Sequence, residues 1–207
     1  MRLVSCEYRK RRYLGATQGD AVTLPALAGE PLNDMLELID GGPAAWRHYR
    51  DRLEQLPADC RVPLASVKLL APIPRPRKNI LCLGLNYADH AAESSAVRGR
   101  EPAVPEHLVV FTKAVTSITG PDADIPYDST VTAQLDWEVE LAVVIGTPGR
   151  RISEERAMNH VFGYTVVNDL SARDLQFRHK QYSLGKSLDS GCPMGPWIVT
   201  ADEIPAP

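Results

Sequence analysis

The sequence predicts a β-rich α+β protein, and three observations predict it. Seventeen prolines and fourteen glycines stand against three phenylalanines and three tryptophans in 207 residues, a balance that favours many short strands joined by turns. Apolar runs of strand length recur at residues 79–85, 108–112, 137–145 and 161–167. Helical spacing is confined to a few short stretches. With 44% hydrophobic and 24% charged residues, the chain has an ordinary globular make-up and not a disordered one. Its length allows one or two domains.

In chain order, residues 2–6, 12–15 and 20–24 read as strands. The basic run Arg9-Lys10-Arg11-Arg12 reads as a solvated hairpin tip in preference to a nucleic-acid contact. Residues 31–39 place Leu32, Met35, Leu36 and Ile39 at helical spacing, and residues 46–56 suggest a second helix. Pro72-Ile-Pro-Arg-Pro76 is stiff and extended, because each proline fixes φ and biases its predecessor away from helix. That segment divides a small N-terminal α+β domain, 1–72, from a second domain, 73–207, which is denser in strands. A further helix is expected after Ser153, a suitable N-cap, with Glu154 and Glu155 in the first turn where the dipole favours anions.

Several function classes drop out on charge and composition. A net charge of −3 removes any general attraction to phosphate backbones or anionic membranes. No stretch reaches the ~18 apolar residues of a membrane span, and residues 1–13 lack the apolar segment of a secretory signal. Cys6, Cys60, Cys82 and Cys192 lie far apart with no C-x-x-C pair. This argues for reduced, structural thiols in the cytoplasm and against a zinc knuckle or disulfide framework.

Candidate chemistry begins with Asp136-Trp-Glu138-Val-Glu140-Leu-Ala-Val-Val-Ile-Gly146. The period of two puts Glu138 and Glu140 on one strand face, ~6–7 Å apart, where they repel unless a cation lies between them. A strand end with one solvated face is the simpler reading of the pair alone. Asp169 adds a third acid at the end of Gly163-Tyr-Thr-Val-Val-Asn-Asp169. Three hard oxygen ligands on neighbouring strands suit Mg²⁺ or Mn²⁺, and zinc is disfavoured because no Cys or His sits at ligand spacing. In Asn86-Tyr-Ala-Asp-His90-Ala-Ala-Glu93, His90 and Glu93 share a face if the segment is helical. A carboxylate that orients an imidazole raises its basicity, as a general base requires; a surface pair is the plainer alternative. Lys186 follows Gly185 and is indistinguishable by itself from other lysines.

Together these residues resemble the fumarylacetoacetate hydrolase family. The resemblance rests on Gly84-Leu-Asn-Tyr-Ala-Asp-His90-Ala-Ala-Glu93, Phe111-Thr-Lys113, Asp136-Trp-Glu138-Val-Glu140, Asn168-Asp169-Leu-Ser-Ala-Arg173-Asp-Leu-Gln176 and Gly185-Lys186-Ser-Leu-Asp189. It covers residues 78–204 and leaves the N-terminal part without a motif. It implies a mixed β-roll catalytic domain, a homodimer, and a divalent Mg²⁺ or Mn²⁺ held by Glu138, Glu140 and Asp169. His90 and Glu93 would then activate water, Lys186 would act on a developing enolate, and Arg173, Gln176 and Lys113 would contact substrate. Residues 91–105 look like the family's lid. Family members run on past this point with a Thr-Gly-Thr-Pro-like loop that this chain lacks, so a C-terminally incomplete roll is expected.

The activity implied is metal-dependent hydrolysis of a C–C bond in an acylpyruvate or fumarylpyruvate-type 1,3-dioxo acid. The same enolate chemistry serves isomerisation or decarboxylation of 2-oxo or 2-hydroxy-diene diacids in aromatic catabolism, which is the alternative. An impaired binding subunit is a second alternative, and one fold hosts several activities.

Overall fold

The computed structural model describes residues 1–84, 106–179 and 181–204. Strands β1 (Arg2–Tyr8) and β2 (Arg11–Gln18) form an antiparallel hairpin. Arg9 and Lys10 at its tip have φ of 47° and 63°, the left-handed backbone that a two-residue primed turn requires. The basic run is therefore an exposed hairpin tip. β3 (Ala21–Thr23), β4 (Arg61–Pro63) and β5 (Lys68–Leu69) complete the N-terminal strands. After Pro72–Pro76 come β6 (Ile80–Gly84), β7 (Val109–Lys113), β8 (Ile118–Thr119) and β9 (Leu135–Asp136). The last strands are β10 (Val139–Ile145), β11 (Val161–Asn168), β12 (Ser171–Ala172) and β13 (Cys192–Thr200).

Among the described residues one nine-stranded sheet runs β10-β11-β13-β1-β2-β3-β4, with β5 on β1 and β8 on β13. It is mixed, since β8 pairs parallel to β13 while its other pairings are antiparallel. Two small sheets, β6-β7 and β9-β12, stand beside it. The fold is mostly sheet with short helices, and its sheets are open. The main sheet passes straight across the Pro72–Pro76 segment. So does the core, in which Leu3, Leu14, Met35 and Leu38 pack with Phe162 and Ile198.

Helix positions differ from the spacing in instructive ways. The first helix, α1 (Met35–Asp40), starts later than residue 31 because Asp34 caps it, its carboxylate accepting from the Leu36 and Glu37 N–H groups. Upstream, Asn33 is occupied with the backbone of Leu14 and Arg12. Helix α2 (Gly42–Gln55) starts earlier than expected, with Pro43 in its first turn. Trp46 ties it down by donating to Leu38 O at 2.9 Å and meeting Phe162 edge-on at 4.9 Å. After Ser153 there is a single turn, α3 (Glu154–Ala157). Ser153 makes no cap bond there and instead accepts from Arg156 Nε.

β13 is not among the strands foreseen from the sequence. It contains prolines at 193 and 196, which cannot donate to a ladder. The strand accommodates them by changing neighbours along its length. Along one edge Cys192 and Pro193 pair with β8 and Ile198 and Val199 with β1, while along the other β11 pairs with Met194, Gly195, Val199 and Thr200. Its register on β11 is interrupted between Tyr164 and Val166.

β10 is one edge of this sheet. Glu140, Ala142 and Val144 face inward and are half-buried, whereas Val139, Leu141, Val143 and Ile145 are exposed, Val139 at 67% and Leu141 at 61%. Gly163 on β11 is required by close approach: a Cβ there would stand 2.3 Å from Val199 O and 2.9 Å from an Ile198 methyl. We expect Gly163→Ala to destabilise the protein by ~1–3 kcal/mol, as overpacking of a central strand does. Urea denaturation checks this, and an unchanged midpoint would contradict the packing described.

Candidate active site

The site forms where β10 begins and β11 ends. Strand β11 carries Asn168 at its last position and delivers Asp169 immediately beyond it. Asn168 Oδ1 accepts from the Glu138 N–H at 3.1 Å, and the Asp169 N–H donates to Glu138 O at 2.8 Å. These two bonds lock the Asn-Asp dipeptide to the residue preceding β10, so that Glu138 and Asp169 open on the same space. Lysines arrive from two other directions. Lys113 ends β7, and Lys186 ends the one-turn helix α5 (Ser183–Lys186), which packs on Phe111 of the same strand through Tyr182.

Asp169 is 2% exposed, and both lysines are equally buried, Lys113 at 1% and Lys186 at 2%. Lys186 Nζ donates to Asp169 Oδ2 at 2.7 Å and to Glu138 Oε2 at 2.6 Å. Lys113 Nζ lies 2.7 Å from Asp169 Oδ1, out of hydrogen-bond alignment, while donating to Leu170 O at 2.9 Å. The other Glu138 oxygen, Oε1, is 2.7 Å from Arg173 Nη1. Helix α4 (Arg173–Arg178) supplies this arginine, whose Nε and Nη2 both donate to Asp136 Oδ2, at 2.9 and 2.7 Å. Gln176, buried one turn later, accepts from Arg173 Nη1 at 3.0 Å.

Burial pushes the Glu138 carboxyl up, but the Lys186 ammonium and Arg173 guanidinium beside it prevail and hold it below its ordinary value. Burial likewise works to lower Arg173, and Asp136 and Glu138 together raise it. The neighbouring Cys82 thiol is pushed up to about 12, by burial first and the charge of Asp169 next, and burial raises Cys192 to about 11. Both thiols stay protonated at neutral pH, which makes them packing groups and not nucleophiles.

The structure therefore brings together Glu138, Asp169, Lys113, Lys186, Arg173 and Gln176 of the expected residues. Glu140 shares the half-buried face of β10, opposite Val167, but is not drawn into a three-ligand cluster. Among the described residues no three His, Cys, Asp or Glu side chains stand close enough to hold a metal ion. The donor chemistry nonetheless fits a hard divalent cation: the converging groups are carboxylates, and Asp169 Oδ1 is buried without a hydrogen-bond partner. His90, Glu93 and the lid at 91–105 lie outside the described residues. Asn168 and Asp136 escaped the sequence reading as functional positions. Asp136 sits two residues before Glu138, a spacing that could have signalled a fourth acid near the same site.

Asp169 is the shared counter-charge of two buried ammonium groups. We expect Asp169→Asn to cost ~3–5 kcal/mol in the metal-free protein, the usual penalty for breaking a buried pair. Asp136→Asn should cost only ~0–1 kcal/mol, since the Asp136 side chain is 47% exposed. Denaturant unfolding of the two variants side by side checks the ordering.

Comparison with known proteins bears on this cluster. The family described as "Fumarylacetoacetate (FAA) hydrolase C-terminal" matches residues 79–207. Over 144 residues the chain is 56% identical to the oxaloacetate tautomerase of Bacillus subtilis strain 168, covering 70% of this chain and 46% of that protein. The chain thus spans about half the length of the curated relatives it matches. Its structure is similar to a fumarylacetoacetate hydrolase from psychrophilic Exiguobacterium antarcticum (TM-score 0.79, 38% identity, 99% of this chain and 68% of that one). It is also similar to maleylpyruvate hydrolase from Sphingobium sp. SYK-6 in complex with manganese(II) and pyruvate (TM-score 0.73, 28% identity, 100% of this chain and 70% of that one). Isomerases are among the similar structures too, so the named relatives include hydrolases, isomerases and a tautomerase. The family match over residues 79–207 takes in every residue of the ion cluster, from Lys113 to Lys186, and on that ground the chain belongs to the fumarylacetoacetate hydrolase family.

Proposed function

We propose that the protein stabilises the enolate of a small 2-oxo diacid, and that its reaction is keto–enol tautomerisation of an oxaloacetate-type substrate. The observation that carries this reading is the buried pair of ammonium groups, Lys113 and Lys186, gathered on Asp169 beside Glu138. Positive charge held in a dry site stabilises an oxyanion far more than it would in water. The 56% identity to an oxaloacetate tautomerase over 70% of this chain supports the same reading.

The roles follow from position and chemistry. A Mg²⁺ or Mn²⁺ ion held by Glu138, Glu140 and Asp169 would supply Lewis-acid stabilisation of the enolate. Lys186 places its charge against the enolate oxygen, and Lys113 keeps the Asp169 carboxylate oriented. Arg173 is suited to a substrate carboxylate by its planar fork, with Gln176 steadying it. His90, oriented by Glu93, moves the proton between the carbon next to the carbonyl and the carbonyl oxygen. The setting we propose is a cytoplasmic homodimer; the exposed Val139, Leu141 and Val143 on β10 favour an apolar contact.

A second reading is C–C bond hydrolysis of an acylpyruvate, with His90 activating water. The likeness to the fumarylacetoacetate and maleylpyruvate hydrolases favours it. It asks more of the site, because water must be positioned as well as the enolate stabilised.

Assays of the purified protein on oxaloacetate, acetylpyruvate and a hydroxymuconate, with and without Mn²⁺, separate the readings. We expect Mn²⁺-dependent loss of the oxaloacetate enol with no carbon released. Pyruvate formed from acetylpyruvate at ~1–10³ s⁻¹ would transfer the assignment to hydrolysis, and carbon dioxide from oxaloacetate to decarboxylation.

Two substitutions test the roles separately. His90→Ala should lower turnover by roughly 10²–10⁴-fold, the range of acid–base catalysis, while leaving the Mn²⁺-induced rise in Tm intact. Glu140→Gln should abolish that rise, because a ligand stabilises the native state only as far as it binds.

A further inference from the structure

Lys186 occupies a position that its role at the enolate does not require. Its Nζ sits at hydrogen-bond distance from two different carboxylates, Glu138 and Asp169, both assigned above to the metal. The remaining oxygens of these acids stand in ion-pair contact, 2.7 Å each, with Lys113 and Arg173. Counting Asp136, which Arg173 also holds, three carboxylates face three cations and the cluster is neutral without any metal. Glu140 has partners of its own.

A divalent ion cannot simply be added to this arrangement. Mg²⁺ needs its oxygens at about 2.0–2.1 Å, so an ion shared by Glu138 and Asp169 would stand where Nζ now stands. A like charge at that distance in a buried setting is strongly repelled. Ammonium and metal therefore compete for one point between two carboxylates.

Resting on the metal assignment above, we propose that Lys186 is a placeholder cation: it holds Glu138 and Asp169 together in the metal-free chain and is displaced when a divalent ion enters. Displacement has a chemical result. The ammonium loses both anionic partners at once and becomes available to the substrate oxyanion, so metal loading prepares the lysine. The Phe111 ring, 4.9 Å from Nζ, offers the displaced ammonium a face to rest against, which is favourable for a cation. This also accounts for the failure of Glu138, Glu140 and Asp169 to gather as a three-ligand set, since two of them are closed around nitrogen.

The test is Mn²⁺ binding followed by electron paramagnetic resonance of the free ion, a measurement independent of turnover. Lys186→Met removes the competitor and should tighten Mn²⁺ binding roughly ten- to a hundredfold, as expected for deleting one nearby like charge. Its metal-free Tm should fall, and saturating Mn²⁺ should restore it. Lys113→Met, which removes an ammonium that touches Asp169 but not Glu138, should tighten binding less. Lys186→Gln serves if the methionine variant does not fold without metal. Mn²⁺ affinity in a folded Lys186 variant equal to or below that of the wild type, with the wild type binding normally, overturns the placeholder alone. Absence of Mn²⁺ binding in the wild type and in every variant overturns the metal assignment together with it.

Discussion

A carboxylate sealed from water must receive its counter-charges from the fold itself, and Asp169 receives two. Lys113 and Lys186 reach it from separate elements, each buried almost completely. Desolvating one ammonium is costly, and desolvating two for one carboxylate is tolerable only because Glu138 shares the second. Glu138 is in turn balanced by Arg173, and Arg173 by Asp136. The chain of charges runs outward until it meets solvent at Asp136, where further compensation is unnecessary. Removing an inner member leaves its buried neighbours with fewer counter-charges and no water to replace them.

Geometry this demanding is set by backbone before side chains. The Asn168 amide and the Asp169 N–H both bond the main chain of Glu138, so the two acids are registered across β10 and β11 whatever their rotamers. Short helices then supply two of the three cations, Arg173 and Lys186. α5 is one turn long and delivers Lys186 at its end, against an aromatic pair made by Phe111 and Tyr182. The acids thus stand at strand ends, Lys113 closes β7, and Arg173 and Lys186 come from helix ends, so that opposite charges separated in sequence are joined in space.

Much of this was legible in the sequence, for identifiable reasons. The strands at 161–167 and 137–145 declared themselves by their apolar runs, although burial follows composition only in the first: on β10 the residues Val139, Leu141, Val143 and Ile145 are exposed. The pairing of Glu138 with Asp169 could be anticipated from an acid at a strand start and another at a strand end. The lysines could not. Lys186 and Lys113 carry no local signal, because their burial is imposed by elements far away in the chain, and only the family resemblance raised them. β13 was illegible for a different reason: its prolines violate the rule for central strands, and the sheet tolerates them only by switching neighbours along the strand. Asp34, which fixes the start of α1, shows the same limit on a smaller scale. Its carboxylate caps α1, while Asn33 beside it is engaged with the backbone of Leu14 and Arg12.

The neighbours of β13 bear on how this chain could be divided. β1, at the start of the sequence, is an interior strand: it lies between β13 and β2 and buries Leu3, Val4 and Cys6 completely. A cut at the proline-rich segment after residue 72 would turn β13 from a central strand into an edge and open the core along its length. Gly191, whose carbonyl accepts from Leu170 next to Asp169, lies immediately before that strand. The leading segment, which carries no motif of the family, is in mechanical terms a neighbour of β13, and evolutionary exchange of that segment would have to conserve a strand edge complementary to it.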